Sequence, residues 1–171
     1  MDVLTNPVRR YAWGSRTGIA TVTGRPAPTA EPEAELWMGA HPAAPSTTVR
    51  YGVRRTLPEL IAADPDAELG RPVHRDHGAR LPFLFKLLAA DAPLSIQVHP
   101  DQAQARTGFD REEAAFIRRD DPRRSYPDPY HKPELVCAVS EFDTLCGFRD
   151  ATESAELLAG LGLPALRAAA V

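Results

Sequence analysis

Lysine is almost missing from this chain. Of the 20 basic side chains only Lys86 and Lys132 are lysines, and the rest are arginine. A chain that writes arginine nearly everywhere keeps a lysine either by chance or where a compact, titratable ammonium is needed. Cysteine is scarce as well. Cys137 and Cys146 form no CxxC pair and no zinc-ribbon spacing, which excludes a disulfide framework and a thiolate metal site. Both are expected as small core residues in a reducing compartment. An excess of basic charge is lacking too: the net charge is −3 and the pI about 5.9. That balance argues against a nucleic-acid or anionic-membrane surface. No apolar run is long enough to span a bilayer. The opening "MDVLTNPVRR" has no basic-then-apolar leader pattern, so the expectation is a cytoplasmic protein.

What is present is length for about one domain, 171 residues, and 17 prolines. The prolines cluster in "GRPAPTAEPE" and "YPDPYHKP", which read as loops. "ELWMG" (35–39) reads as a short strand. "TLPELIAAD" places Thr56 and Glu59 in capping-box positions with Pro58 in the first turn, and so predicts a helix. "LPFLFKLLAA" (81–90) reads as a strand from its aromatics and length. "LSIQVH" (94–99) is the clearest strand, "ELVCAVS" (134–140) a second and "FDTLCGF" (142–148) a third. Asp101 is expected to cap a brief helix. Asp110 and Glu113 repeat the capping spacing and predict a helix over "DREEAAFIRRD". Asp150 and Glu153 open another, and "PALRAAAV" begins a last one that stops in mid-pattern at Val171. The order is β-rich first and helical last. Short strands with Gly/Pro turns suggest a sandwich or barrel, with too few strands to close one.

The "LSIQVHP" strand carries the chemistry. Period-two alternation puts Leu94, Ile96 and Val98 on one face and Ser95, Gln97 and His99 on the other. Two same-side ligands on a strand can converge on one ion above that face. Imidazole is a favoured zinc ligand, and a glutamine oxygen adds no charge, which keeps such an ion a strong Lewis acid. Glu134, opening the next strand behind Pro133, offers a carboxylate, and Lys132 shares its parity. Together these form an O/N/O set that suits an open catalytic zinc site with one ligand still to be supplied. The plain alternative is a solvated strand face, which shows the same alternation. For Lys86, inside "FLFKLL", the alternatives are an edge lysine reaching water and one facing a polar cavity. Trp13 and Trp37 read as core residues rather than site residues.

"YAWGS" (11–15), "ELWMGAHP" (35–42), "LPFLFKLL" (81–88), "PLSIQVHP" (93–100) and "HKPELV" (131–136) stand in this order and at these separations. Together they resemble the type I phosphomannose isomerases, also called mannose-6-phosphate isomerases, over residues 1–150 and weakly beyond. The resemblance implies a mainly β, α+β fold: an incomplete cupin-type jelly roll over 1–150, followed by the start of a helical insertion at 151–171. It implies one zinc ion held by Gln97, His99 and Glu134, and a pocket that includes Trp13, Glu35, Lys86, Ser95, His131 and Lys132. It implies cytoplasmic interconversion of mannose 6-phosphate and fructose 6-phosphate through an enediol, feeding GDP-mannose synthesis. Lys132 and His131 would then do the proton-transfer and ring-opening work, and Lys86 would hold polar groups of the sugar phosphate. Family members are longer. Their fourth zinc ligand and an active-site arginine lie beyond the helical insertion, so the resemblance implies that a C-terminal half, not contained in this chain, would supply them. Two other readings remain: a non-catalytic cupin fragment that binds metal or sugar, and another metal-dependent cupin enzyme.

Overall fold

The computed structural model describes residues 2–163. The helix expected from "PALRAAAV" falls outside the described residues. The chain divides into two compact units between Gln97 and Val98.

The first unit is built on a three-stranded antiparallel sheet of β1 (Val8–Arg9), β2 (Glu35–Met38) and β5 (Phe85–Leu88), with β2 central. "ELWMG" and the end of "LPFLFKLLAA" thus form strands as expected, and they pair with each other. Trp37 lies opposite Lys86 and Glu35 opposite Leu88. The "YAWGS" stretch runs along this sheet. The Ser15 amide donates to the Ala89 carbonyl and the Glu33 amide to the Ser15 carbonyl, each at 2.9 Å. Such close passage needs Gly14: a Cβ there would stand 2.6 Å from the backbone nitrogen of Ala34. The helix α1 (Gly18–Val22) follows and buries Ile19 and Ala20. Beside them, buried Glu33 is paired with Arg25, whose Nη1 donates to Oε1 at 2.9 Å. That hydrogen bond holds the Glu33 carboxyl below its ordinary pKa, against the opposing effect of burial.

A two-stranded ribbon of β3 (Thr47–Arg50) and β4 (Val53–Thr56) leads into α2 (Leu57–Ala63). The predicted capping box is formed. Thr56 Oγ1 accepts from the Glu59 amide, and the Glu59 carboxylate accepts from the Thr56 amide. Leu60 and Ile61 face inward. Thr56→Ala removes one half of this reciprocal pair and should lower stability by about 1 kcal/mol, read as a lower denaturant midpoint with the slope unchanged. Two short helices, α3 (Pro65–Leu69) and α4 (Arg71–His77), complete the segment before β5.

The second unit contains α5 (Gln102–Ala114) and α6 (Ala151–Gly160), the latter capped by Asp150 as expected. Asp101 is the cap of α5, in a box with Gln104, but the helix is 13 residues long and not brief. Asp110 and Glu113 therefore lie inside it. Aspartate three residues before glutamate is also an ordinary arrangement on a helix surface, so the spacing alone set the start too late. A loop folds back onto α5 through Arg124, whose side chain is 1% exposed. Its guanidinium meets Glu112 and Glu113 and donates to the carbonyls of Tyr126 and Ile117. Glu112 accepts from the amides of Ser125 and Tyr126 at 3.0 and 2.8 Å. Burial works to raise the Glu112 carboxyl, but those N–H bonds and the Arg124 charge outweigh it, and its pKa lies below the ordinary value. Gly108 allows the approach, because a Cβ there would meet the Tyr126 ring at 2.6 Å.

Three expected strands are not formed. Residues 94–99, 134–140 and 142–148 have no ladder partner among the described residues. Ile96 is 84% exposed and Leu135 96%. Alternation tells which side chains share a face, but a strand also requires a neighbour for its backbone donors and acceptors. For the same reason Cys137 and Cys146, expected in the core, are exposed free thiols. The strand-rich reading of the first 150 residues is met only in the two small sheets, and helices hold more of the described chain than strands do.

Candidate active site

The sequence-predicted residues fall in both units, and each group has its own geometry. In the first unit the face of the three-stranded sheet organises Glu35, Trp37 and Lys86. Residues directly opposite across an antiparallel pair share a face, as do residues two apart on one strand. Glu35 and Trp37 therefore stand beside Lys86. Glu35 is 7% exposed, and both of its oxygens are engaged. Oε1 accepts from Lys86 Nζ at 3.0 Å, and Oε2 accepts from Trp37 Nε1 at 2.9 Å. A buried carboxylate costs little when each oxygen has a donor. Lys86 is thus neither simply dissolved in water nor enclosed. Its ammonium is held by a carboxylate at the sheet surface, with about a third of the side chain exposed.

Trp13 and Trp37 are half-buried, not fully in the core as the sequence suggests. Trp13 stacks on Tyr11 with ring centroids 5.5 Å apart, and Trp37 meets the edge of His41 at 4.8 Å. The Trp13 carbonyl accepts from the Asp91 amide at 2.9 Å, which ties this aromatic stretch to the segment after β5. Ser95 and Gln97 lie beyond that point in exposed, unladdered backbone.

In the second unit His99 lies just before α5, and His131, Lys132 and Glu134 lie in a later loop held to the start of that helix. Gln102, the first residue of that helix, donates through Nε2 to the Pro129 carbonyl at 2.8 Å. Its Oε1 accepts a longer bond, 3.5 Å, from the His131 amide. His99 Nδ1 lies 2.8 Å from the Lys132 carbonyl oxygen. A carbonyl oxygen can only accept, so Nδ1 carries the hydrogen. The neutral ring then has its lone pair on Nε2, directed away from that bond. This is how a metal-binding histidine is usually oriented, by a hydrogen bond from its other nitrogen to a backbone carbonyl. Lys132 is paired in turn: Nζ lies 3.0 Å from Asp128 Oδ2, and Asp128 Oδ1 also accepts from the Tyr130 amide. Asp128 and Gln102 were not singled out from the sequence. No sequence signal marks Asp128: the i,i+4 rule for opposite charges holds on helices, and residues 126–133 form a loop.

Among the described residues no group of three or more His, Cys, Asp and Glu side chains is placed to hold a metal. The predicted set contributes only His99 and Glu134 to such a group, because its other member is the amide of Gln97. Among the described residues no helix is long and apolar enough to cross a membrane.

Residues 1–151 match the family model described as the catalytic domain of type I phosphomannose isomerase. The chain belongs to that family. It is 45% identical over 159 residues to the mannose-6-phosphate isomerases of Escherichia coli (strain K12) and Salmonella typhimurium. It is 36% identical over 161 residues to that of Candida albicans. The match takes in 92% of this chain but only 40% of the two bacterial proteins, so the chain spans about two-fifths of the length of those relatives. Among solved structures, the Salmonella typhimurium enzyme bound to fructose 6-phosphate and zinc is similar with a TM-score of 0.70 and 45% identity. That likeness covers 77% of this chain and 33% of the other. Solved forms of the same enzyme carry the substitutions K86A, H99A and E134A, with TM-scores of 0.70 to 0.71.

Proposed function

We propose that this chain supplies the N-terminal part of the catalytic domain of a zinc-dependent mannose-6-phosphate isomerase, and that Gln97, His99 and Glu134 are its share of the zinc ligands. The observation that carries the reading is the match of residues 1–151 to the catalytic-domain model. Two further facts support it. The His99–Lys132 hydrogen bond leaves Nε2 as the ligating atom. The solved variants of the Salmonella typhimurium enzyme are substituted at a lysine, a histidine and a glutamate whose types and numbers coincide with Lys86, His99 and Glu134 here. The jelly roll, the helical insertion from residue 151, the cytoplasmic setting and the supply of GDP-mannose synthesis belong to the same reading. Extended segments 94–99 and 134–148 would find their ladder partners in the part of the family length that this chain does not span.

The reaction moves a proton between C2 and C1 of an open-chain sugar phosphate. A bound zinc ion would act as a Lewis acid on the developing oxyanion of the enediol. Lys132 would move the proton, and His131, its neighbour on the loop clamped by Gln102, would assist ring opening. Lys132 is held beside Asp128, its Nζ 3.0 Å from Oδ2. Trp13, Glu35, Lys86 and Ser95 would line the sugar phosphate, with Lys86 fixed by Glu35.

A second reading, a polypeptide that binds metal or sugar without turnover, is favoured by the unladdered backbone at 94–99 and 134–148. Two samples separate the readings: the 171-residue chain, and a chimera in which residues 1–151 replace the matching part of the Salmonella typhimurium enzyme. Both are assayed with zinc for fructose 6-phosphate formed from mannose 6-phosphate. The chimera should turn over, and the chain alone should show little or no activity. Robust turnover by the chain alone would show that it completes its own site; an inactive, folded chimera would favour the second reading.

A further inference from the structure

The sheet face that holds Lys86 carries a second cation. Arg9 on β1 lies directly opposite Glu35 on β2, so its side chain emerges on the face shared by Glu35, Trp37 and Lys86. The guanidinium carbon lies 5.6 Å from the centre of the Tyr11 ring and 5.1 Å from that of Trp37, and Nε donates to Tyr11 Oη at 3.2 Å. These contacts fix the plane of the group. Glu35, the nearest carboxylate by register, spends both oxygens on Lys86 and Trp37. Arg9 has no ion pair among the described residues. Among the described residues this face carries two cations, Arg9 and Lys86, and one carboxylate, Glu35, with the rings of Tyr11 and Trp37 against the guanidinium and Trp13 stacked on Tyr11.

We propose that Arg9 is a phosphate-binding residue of this face: its free N–H edge takes the phosphate of a sugar phosphate while the neighbouring rings cover the sugar. The inference rests on the proposed isomerase reading for its substrate class, but the residue comes from this sheet alone. A guanidinium with two unused amino groups presents a planar fork that suits two phosphate oxygens. Lys86 suits the role less well, because Glu35 already matches its charge. Aromatic walls with a few fixed polar groups are the ordinary make-up of a small-ligand site. Arg9 would thus decide for phosphorylated over unphosphorylated sugar.

The test titrates the 171-residue chain with fructose 6-phosphate, fructose and inorganic phosphate, following the fluorescence of Trp13 and Trp37 with calorimetry alongside. Three variants accompany it: Arg9→Gln, Arg9→Lys and Arg10→Gln, the last at the neighbouring arginine, which pairs with Glu31 at 3.1 Å. The expected result is binding of fructose 6-phosphate well above fructose. Arg9→Gln should weaken it by about tenfold or more, the loss of charge-assisted hydrogen bonds, and also weaken inorganic phosphate. Arg9→Lys should recover part of the loss and Arg10→Gln should bind as the parent does. Thermal unfolding of each variant identifies any loss of fold. A folded Arg9→Gln chain that binds fructose 6-phosphate as tightly as the parent overturns the inference. So does a parent chain that binds neither phosphate compound, or that binds fructose equally well. If the chimera turns over while Arg9→Gln leaves binding intact, the inference about Arg9 fails and the isomerase reading stands. An inactive chimera beside an Arg9-dependent phosphate site would show the reverse.

Discussion

In the chimera, His99→Ala should lower zinc affinity by more than about 100-fold. Losing a group that merely orients a ligand costs 10–100-fold, and His99 is proposed as the ligand itself, the one neutral nitrogen among two oxygen donors. Its ring is already oriented by the 2.8 Å contact of Nδ1 with the Lys132 carbonyl, so little ordering remains to be done when the ion arrives. Competition with a chromophoric chelator at pH 7 measures the change. His99→Gln is the sharper control. It keeps a side chain of comparable reach, yet offers an amide oxygen that cannot be oriented in the same way, and it should fall between the parent and the alanine variant. Retention of zinc by His99→Ala at the parent's affinity would remove His99 from the site.

Lys132→Ala should separate metal binding from chemistry. In the chimera it should bind zinc normally and lose turnover by more than about 100-fold, the low end of acid–base contributions. Its backbone carbonyl, not its side chain, holds His99, and alanine keeps that carbonyl. A drop in zinc content would show that the side chain also supports the loop, through its pairing with Asp128 at 3.0 Å. Near-normal kcat would exclude Lys132 from the proton path. Asp128→Asn distinguishes the two contributions, since it breaks the ion pair but keeps a side-chain oxygen that can accept from the Tyr130 amide.

Local features were the legible ones. The box at Thr56 and the cap at Asp150 lie within four residues, and both helices begin where the sequence places them, although the Glu153 carboxylate bonds Arg149 and does not close a box with Asp150. The strands "ELWMG" and "FKLL" were readable because apolar, aromatic and branched residues cluster there between turns. Pairings at long range were not readable from period. Arg124 looks like any surface arginine, yet it is almost wholly enclosed by α5 and the loop beyond it. Arg9 has no sequence mark of its own and gains meaning only from standing opposite Glu35. The strands expected at 94–99 and 134–148 show the other side of the same limit. Their alternation is genuine, but pairing requires a neighbour, and without one Ile96 and Leu135 face water. Of the candidate site, the residue identities came from the sequence, whereas the clamps that position them, Gln102, Asp128 and the Glu35–Lys86 pair, came from the fold.

The central claim is that Gln97, His99 and Glu134 meet on one zinc ion. An anomalous difference map at the zinc edge, from crystals of the chimera, tests it most directly. The account predicts a single strong peak about 2.0–2.2 Å from Gln97 Oε1, His99 Nε2 and a Glu134 carboxylate oxygen, with His99 Nδ1 still on the Lys132 carbonyl. A peak that lies elsewhere, or one bonded to His99 through Nδ1, would contradict it.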